Sequence, residues 1–387
     1  MEERIRFIEE WQKRERSVAE LSRAFGISRK TAYKYLERYD QEGRKGLEER
    51  SRAPDHSPQA ISEQVAEAIL AQRRQHPTWG ARTIRERLKR LQPDEHWPAA
   101  STMGELLKQE GLIQPRHKRR RTPPASQPLA HATAPNQVWS ADFKGWFRCG
   151  DGVRCDPLTI SDAYSRYLLR CRIVDKTDSP HVRAVFEAVF REYGLPEAIR
   201  SDNGAPFASP APGGLSQLSM WWLQLGIRHE RIDPGCPQQN GRHERLHLSL
   251  LQDTLNPPAA NRRQQQKSFL AWERVYNCER PHQALEWKTP SELYVASARE
   301  YPAKLPELDY PPGVHLRRIS QQGSLKWHGE RTFLSEVLAR QMVGLLETDE
   351  EFFEVYYGPL LIGWFDGRSH AFGAERPRPK KKHKQKA

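Results

Sequence analysis

Near the start of the chain the apolar residues Val18, Leu21, Phe25, Ile27 and Leu36 recur at helical spacing, and Gly26 interrupts them. That pattern predicts two helices joined by a tight turn, a helix-turn-helix, within residues 1–50. Ser28 stands where a hydroxyl caps the second helix, whose outward positions include Arg29, Lys30, Tyr33 and Lys34. Those side chains suit phosphates and base edges. A second helical unit is expected over 57–113. Val65 and Ile69 mark one helix, Ile84, Leu88 and Leu91 another, and Met103, Leu106 and Leu107 a third that opens near Pro98, Ser101 and Thr102 and closes at Gly111. It reads as a further helix-turn-helix-like, DNA-binding unit, with a purely packing or dimerising role as the alternative.

Residues 114–134 lack acidic side chains and are rich in proline and alanine after an arginine run, which predicts an extended basic linker. Beyond it the periodicity shifts to strands. Val138 to Phe147, Leu158 to Ser161 and Tyr167 to Val174 predict an antiparallel meander, turning at Gly150-Asp-Gly152 and Asp162-Ala-Tyr-Ser165. Val182, Val185, Phe186, Val189, Phe190 and Tyr193 then keep to one face of a helix opened by Ser179 and Pro180 and closed by Gly194. A short strand from Ala198 to Arg200 delivers Asp202, a helix runs through Met220, Trp221 and Leu225, Ile227 to Ile232 forms another strand, and a long helix begins near Gln239. Three strands, helix, strand, helix, strand, helix is the order of an α/β RNase H-like core, placed at 135–300. From Tyr310 to Phe372, short alternating runs separated by glycines predict a small β-barrel over 310–373, which binds DNA or braces the assembly. Residues 374–387 form a basic tail.

Charge changes this picture through its placement. The net charge is +13 and the pI about 9.6. Arg116, Lys118, Arg119, Arg120 and Arg121 in the linker, with Arg376, Arg378 and five lysines of the tail, hold nearly all of the excess. Flexible arms of this kind grip phosphates in a salt-sensitive, sequence-independent way. The five cysteines form no Cys-x-x-Cys pair, which argues against a disulfide framework or thiolate zinc site. The charged N-terminus offers no secretory signal, and the apolar stretch Val355 to Phe365 is too short for a bilayer. A cytoplasmic, nucleoid-associated protein without a membrane partner is expected.

Three carboxylates carry the candidate chemistry: Asp142 on the first strand, Asp202 after the fourth, and Glu244 on the long helix. Cutting and joining phosphodiesters needs an activated oxygen and relief of phosphate charge, a task for two Mg²⁺ ions (with Mn²⁺ as substitute) held by hard oxygen ligands. First and fourth strands are neighbours in this fold, so Asp142 and Asp202 can meet. Glu244 is expected to share a docking face with His247, Leu248 and Leu251 that aims it at the aspartates. Asn203 and Gly204 suit the turn presenting Asp202, as Asn240 and Gly241 suit the start of the helix. Arg242, His243, Arg245 and His247 are candidates for phosphate contact, with packing or ion pairs as the competing reading. Arg280, Pro281 and His282 suit a structural turn, and Trp221 and Trp222 the core.

The stretches Trp139-Ser-Ala-Asp142, Asp162-Ala-Tyr-Ser-Arg166, Ser201-Asp-Asn-Gly204, Pro237-Gln-Gln-Asn-Gly-Arg-His-Glu-Arg245 and Tyr276-Asn-Cys-Glu-Arg-Pro-His-Gln-Ala-Leu285 resemble, in this order, bacterial insertion-sequence DDE transposases with a retroviral-integrase-type catalytic core. The resemblance runs from the helix-turn-helix to about Tyr294. It implies that Asp142, Asp202 and Glu244 are the metal-binding catalytic triad. It also implies recognition of terminal inverted repeats in double-stranded DNA, exposure of a 3′-hydroxyl, and attack on target DNA within a homo-oligomer. An accessory ATPase is a further candidate partner, which the sequence does not decide. Two departures stand out. Between Asp202 and Glu244 lie 41 residues, more than in the integrase pattern, with the Pro/Gly-rich insert 208–214 as the source of the excess. The zinc-binding His-His-Cys-Cys module of retroviral integrases is replaced by the helix-turn-helix units. A catalytically silent DNA-binding regulator or scaffold and an RNase H-type nuclease without joining activity are the competing functions.

Overall fold

A computed structural model describes residues 1–49, 61–113, 129, 131–233 and 241–376. It divides into two compact units, 1–62 and 63–387. In the first, α1 (Glu2–Gln12), α2 (Val18–Ala24) and α3 (Arg29–Glu42) bury Phe7, Ile8, Leu21, Ala32, Leu36 and Leu47. Ser17 and Glu20 form a reciprocal capping box at α2, and the Ser28 hydroxyl accepts from Thr31 N–H at 3.1 Å to start α3. α1 supplies a third wall that the sequence pattern did not single out.

The second unit opens with α4 (Glu63–Gln75), α5 (Ala81–Leu91) and α6 (Ala100–Gln109), packed around Ile69, Trp79, Ile84, Leu88, Met103 and Leu107. These helices dock on the far end of the catalytic region: Arg87 meets Glu279 at 3.0 Å and Arg90 meets Glu292 at 2.7 Å.

The central sheet contains β1 (Val138–Phe143), β2 (Phe147–Arg148), β3 (Arg154–Asp162), β4 (Leu168–Val174), β5 (Ala198–Ser201) and β6 (Arg228–Arg231). β3 lies antiparallel between β1 and β4, while β5 and β6 continue the sheet in parallel on the other side of β1. The expected first strand, Val138 to Phe147, is broken: β1 ends at Phe143, Lys144 N–H makes a last bond to the Pro157 carbonyl, and β2 pairs separately with β3. α7 (Ser179–Tyr193) and α8 (Gln217–Gln224) cover one face, where Trp139, Leu158, Ile160, Phe186, Phe190 and Trp222 form the core. Each such buried aromatic or aliphatic side chain contributes about 1.5–3 kcal/mol. Gly194, at φ +77°, ends α7 where a Cβ would fall 2.6 Å from the Ser297 carbonyl. α9 (Gly241–Thr254) and α10 (Arg262–Arg274) cover the opposite face through Leu246, Leu250, Phe269 and Trp272.

β4 is the outer strand, and its unpaired backbone groups are met by side chains following or within α10. Leu168 N–H donates to Asn277 at 2.8 Å, Cys171 N–H to Glu273 at 3.1 Å, and Ile173 N–H to Gln266 at 2.9 Å. Asn277 and Gln266 return donors to the Leu168 and Cys171 carbonyls. Three side chains thus stand in for a neighbouring strand.

After α11 (Pro290–Leu293), the C-terminal region holds β7 (His315–Arg318), β8 (Ser324–Trp327), β9 (Glu330–Phe333), β10 (Met342–Asp349), β11 (Phe352–Tyr357), β12 (Leu360–Asp366) and β13 (Ala371–Gly373). The expected barrel is not closed. β13, β12, β11, β10 and β7 form an open five-stranded sheet, and β8 pairs only with β9. The local alternation gives strands correctly, but closure needs hydrogen bonds between first and last strands that no local pattern encodes. Its core, including Val343, Phe353 and Ile362, extends onto Leu215 and Met220 of the catalytic region. Gly213 of the Pro/Gly-rich insert sits against Ile362, so the extra length between Asp202 and Glu244 forms part of the seat for this sheet. Arg376 pairs with Asp349 at 2.8 Å; the rest of the basic tail lies outside the described residues.

Candidate active site

Strand alternation places the first two carboxylates. Trp139 and Ala141 point into the core beneath α7 and α8, so Ser140 and Asp142 point to the α9 face. β1 and β5 run parallel with Ser140 opposite Arg200. Two residues further along each chain, Asp142 and Asp202 come level at the same ends of adjacent strands.

The turn holding Asp202 is fixed from several sides. Its Oδ1 accepts from Gly204 N–H at 3.2 Å, and Asn203 donates to the Ile232 carbonyl at 2.7 Å. A Cβ on Gly204 would lie 3.1 Å from Asp202 Oδ2, so the carboxylate occupies space that a side chain at 204 would need. The Ser201 hydroxyl donates to the Asp202 carbonyl at 2.9 Å and lies 2.8 Å from His229 Nε2. Burial, aided by the Arg231 charge, lowers the His229 pKa to about 4, so its imidazole is neutral at neutral pH. With the hydroxyl proton committed to the carbonyl, Nε2–H of His229 is the donor to Ser201.

Asp142 has the same arrangement on a larger scale. It opposes Thr159 of β3, whose hydroxyl donates to the Asp142 carbonyl at 3.1 Å. The same oxygen lies 2.8 Å from Nε2 of both His243 and His247 on α9. One hydroxyl proton and two lone pairs are then fully used if both imidazoles carry their proton on Nε2. Burial pushes His243 down to about 4, and burial with the neighbouring His243 and Lys144 pushes His247 to about 2, which keeps both rings neutral.

Glu244 lies on the first turn of α9 with its side chain exposed. The helix does not dock through Leu248 and Leu251, which are 54% and 39% exposed. Its buried stripe is His243, Leu246, His247 and Leu250, an i, i+3, i+4, i+7 series in which Thr159 makes two imidazoles acceptable in the core. His243 and His247 are therefore packing residues. Arg242 donates to the Ala163 carbonyl at 2.8 Å, and Arg245 is exposed. Asn240 and the residues before it lie outside the described residues, as do Arg116, Lys118, Arg119, Arg120 and Arg121.

Among the described residues no three His, Cys, Asp or Glu side chains are grouped closely enough to hold a metal ion. The donor chemistry nevertheless fits a hard divalent cation: two level aspartates on neighbouring strands, a glutamate on the helix keyed to the same strand pair, and no sulfur ligand. Asp162, the other acid in the motif stretches of this sheet, has a structural task. It is buried and accepts from Asn136 N–H, Ser165 N–H and the Ser165 hydroxyl, locking the turn between β3 and β4. His282 is likewise structural, with Nε2 3.3 Å from the Tyr276 carbonyl and its pKa lowered to about 3 by burial. Trp221 and Trp222 are core residues.

In the N-terminal unit, Ala32 and Leu36 face inward, leaving Arg29, Lys30, Tyr33 and Lys34 exposed along α3. Thr159, Ser201 and His229 were not singled out by the sequence. Ser201 sits inside a motif, but Thr159 and His229 are strand residues with no local signal.

Models of the integrase core domain match residues 132–237 and 225–290, a helix-turn-helix domain matches 3–54, and a homeodomain-like domain matches 31–107. An uncharacterized 31.7 kDa protein of insertion element IS407 from Burkholderia multivorans is 27% identical over 242 residues, covering 62% of this chain and 82% of the relative. An uncharacterized 39.2 kDa protein of insertion element IS476 from Xanthomonas euvesicatoria is 26% identical over 263 residues, covering 68% and 72%. The transposase for insertion sequence element IS904 from Lactococcus lactis is 26% identical over 166 residues, 42% of this chain and 62% of the relative. Among solved structures, the HTLV-2 integrase catalytic core domain in complex with magnesium is similar at 18% identity and TM-score 0.31, covering 41% of this chain and 97% of that one.

Proposed function

We propose that this chain, an insertion-element transposase of the DDE type with an integrase-type catalytic core, cuts and joins DNA strands through Asp142, Asp202 and Glu244. The observation that carries this reading is the level placement of Asp142 and Asp202 on neighbouring strands, with the first turn of α9 keyed to Thr159 directly opposite Asp142.

Asp142, Asp202 and Glu244 would hold two Mg²⁺ ions, with Mn²⁺ as substitute. When bound, such ions relieve charge on the phosphate and activate the attacking oxygen. The residues around them hold the carboxylates still. Thr159 and Ser201 fix the backbone of the two aspartates, and the neutral imidazoles behind them add no charge to the site.

Two reactions follow at this one site. In the first, water attacks the phosphodiester at the transposon end, the P–O bond breaks, and a 3′-hydroxyl leaves. In the second, that hydroxyl attacks a target phosphodiester and expels a target 3′-hydroxyl. One phosphodiester forms as another breaks, so the transfer chemistry itself consumes no nucleotide. Arg29, Lys30, Tyr33 and Lys34 of α3 engage the terminal inverted repeats, supported by the linker arginines and by Arg242 and Arg245, which flank Glu244 in the sequence. Joining two transposon ends to one target calls for more than one copy of the chain, hence a homo-oligomer on DNA.

The test uses purified protein, duplexes carrying the DNA that flanks its own gene, and Mg²⁺ or Mn²⁺, comparing the parent with Glu244→Gln. Cleaved ends joined to target by the parent alone support the assignment. Binding without cleavage or joining in either metal favours the silent regulator.

A further inference from the structure

At the outer edge of the catalytic sheet, between β4, α7 and α10, lies a groove of about 930 Å³ that the proposed chemistry does not use. Arg170, Arg172, Arg262, Arg263 and Lys267 line it, against the single carboxylate Asp175. Arg170 is paired with Glu192, and Arg262 meets Asp175 at 2.6 Å. Arg172, Arg263 and Lys267 are exposed and have no acidic partner among the described residues. The lining comes from one side of each helix, with Arg262 and Arg263 on the first turn of α10. Leu270, 48% exposed, contributes to the apolar part of the lining.

We propose that this groove binds the phosphate backbone of duplex DNA, at a place separate from the carboxylates. Strand register supplies the separation. Asp142 lies on β1, with the whole of β3 between it and the edge strand β4, and Arg172 opposes Leu158, whose side chain packs beneath α7, while Arg263 and Lys267 stand on α10 beside β4. DNA held here is therefore a second contact, target or flanking duplex, beside the strand being cut. Three unpartnered cations around one open groove match a polyanion. A second copy of this chain docked about a two-fold axis through this edge would set the same cations against each other. The proposal rests on the reading of the chain as a DNA-handling transposase.

The salt dependence of duplex binding tests it in the full-length protein, without added metal. The parent is compared with the triple variant Arg172→Gln, Arg263→Gln, Lys267→Gln, and with the charge-retaining triple Arg172→Lys, Arg263→Lys, Lys267→Arg. Loss of three phosphate contacts lowers the slope of log K against log salt by roughly 2.7, while the charge-retaining triple keeps the parental slope. Equal slopes in all three proteins, with equal melting temperatures, overturn the proposal, as does a glutamine triple that changes only self-association or only the binding of a polyglutamate peptide. A parent that cleaves and joins DNA while all slopes agree removes the groove alone. A parent that binds no duplex removes the transposase reading with it.

Discussion

The Thr159 hydroxyl lies 2.8 Å from Nε2 of His243, and through that contact the helix bearing Glu244 is tied to the strand pair bearing Asp142. Ser201 has the corresponding position behind Asp202, with His229 as its imidazole. Both aspartates thus have a backbone carbonyl gripped by a hydroxyl that is itself held by a neutral imidazole, buried behind Asp142 and half-buried behind Asp202. Removing the hydroxyl leaves donors buried without acceptors, which costs more than the bond itself contributes.

Thr159→Val is expected to lower stability by about 2–4 kcal/mol, since it orphans two imidazole N–H groups and removes the side-chain donor to the Asp142 carbonyl. Thr159→Ser keeps the oxygen and is expected to retain most of the stability and the joining activity. Denaturant unfolding and a strand-transfer assay on the two variants give the comparison. Equal behaviour of Val and Ser would show that the hydroxyl has no such role.

Gly204→Ala places a methyl 3.1 Å from Asp202 Oδ2. The carboxylate must shift by a fraction of an ångström, and misplacement on that scale costs on the order of 10- to 100-fold in rate. The expected outcome is a fall in cleavage rate with little change in melting temperature or duplex binding. An alanine variant as active as the parent would mean that the position of this carboxylate is not critical.

Lys30→Ala and Lys34→Ala remove exposed cations of α3 without touching its buried side. Each is expected to reduce the salt slope of binding to transposon-end DNA by about 1 and to leave thermal unfolding unchanged. Titrations at several salt concentrations decide it; parental slopes in both would place the DNA on another surface.

Stability should fall in mild acid. His229, His243, His247 and His282 have folded pKa values pushed down by burial to about 4, 4, 2 and 3. Unfolded, each titrates near 6.5. Below that value the unfolded chain takes up protons that the folded chain refuses, so the stability these groups contribute is complete above pH 6.5 and drains away towards pH 4 for His229 and His243, and further down for His282 and His247. At pH 5 the loss is on the order of 2 kcal/mol for each histidine. Melting temperatures across pH 4.5–7.5 measure it, and a flat profile would contradict the burial of these rings.

Glu273 works in the opposite sense. Burial, only partly offset by Arg170, raises its pKa to about 7, while its carboxylate accepts from Cys171 N–H. The folded chain binds this proton more tightly than the unfolded chain, so its contribution declines as pH rises from about 4.5 through 7. Glu273→Gln keeps the acceptor without the charge, and is expected to raise stability by roughly 1–3 kcal/mol at pH 8 while changing little at pH 5. Unfolding curves at the two pH values suffice, and destabilisation at pH 8 would count against the assignment.

Much of the architecture was legible because it is local. Ser179, Pro180 and Gly194 bound α7 at the expected place, with Asp178 as the cap, and the turns at Gly152 and Asp162 fall where the sequence puts them. The face of α9 differs from the expected one because four leucines ring the helix; the buried pair is Leu246 and Leu250, and His243 joins them only because Thr159, 84 residues earlier, meets it. The open C-terminal sheet and the seat formed at the Pro/Gly-rich insert are likewise long-range facts. Interruption of the first strand after Phe143 leaves apolar residues on both sides of the gap, so hydropathy alone reads it as continuous.

The side-chain cover over β4 has a consequence for the making of the protein. Leu168 leaves the ribosome 109 residues before Asn277, the partner of both its backbone groups. At cellular rates of synthesis that interval is roughly 5 to 20 s. Early in it β1, β3 and β4 can already pair, and their outer strand has bare amides and carbonyls, open to pairing with any other nascent chain. Variants at Gln266, Glu273 or Asn277 should therefore show their first defect in soluble yield during expression, ahead of any loss measured in the finished enzyme.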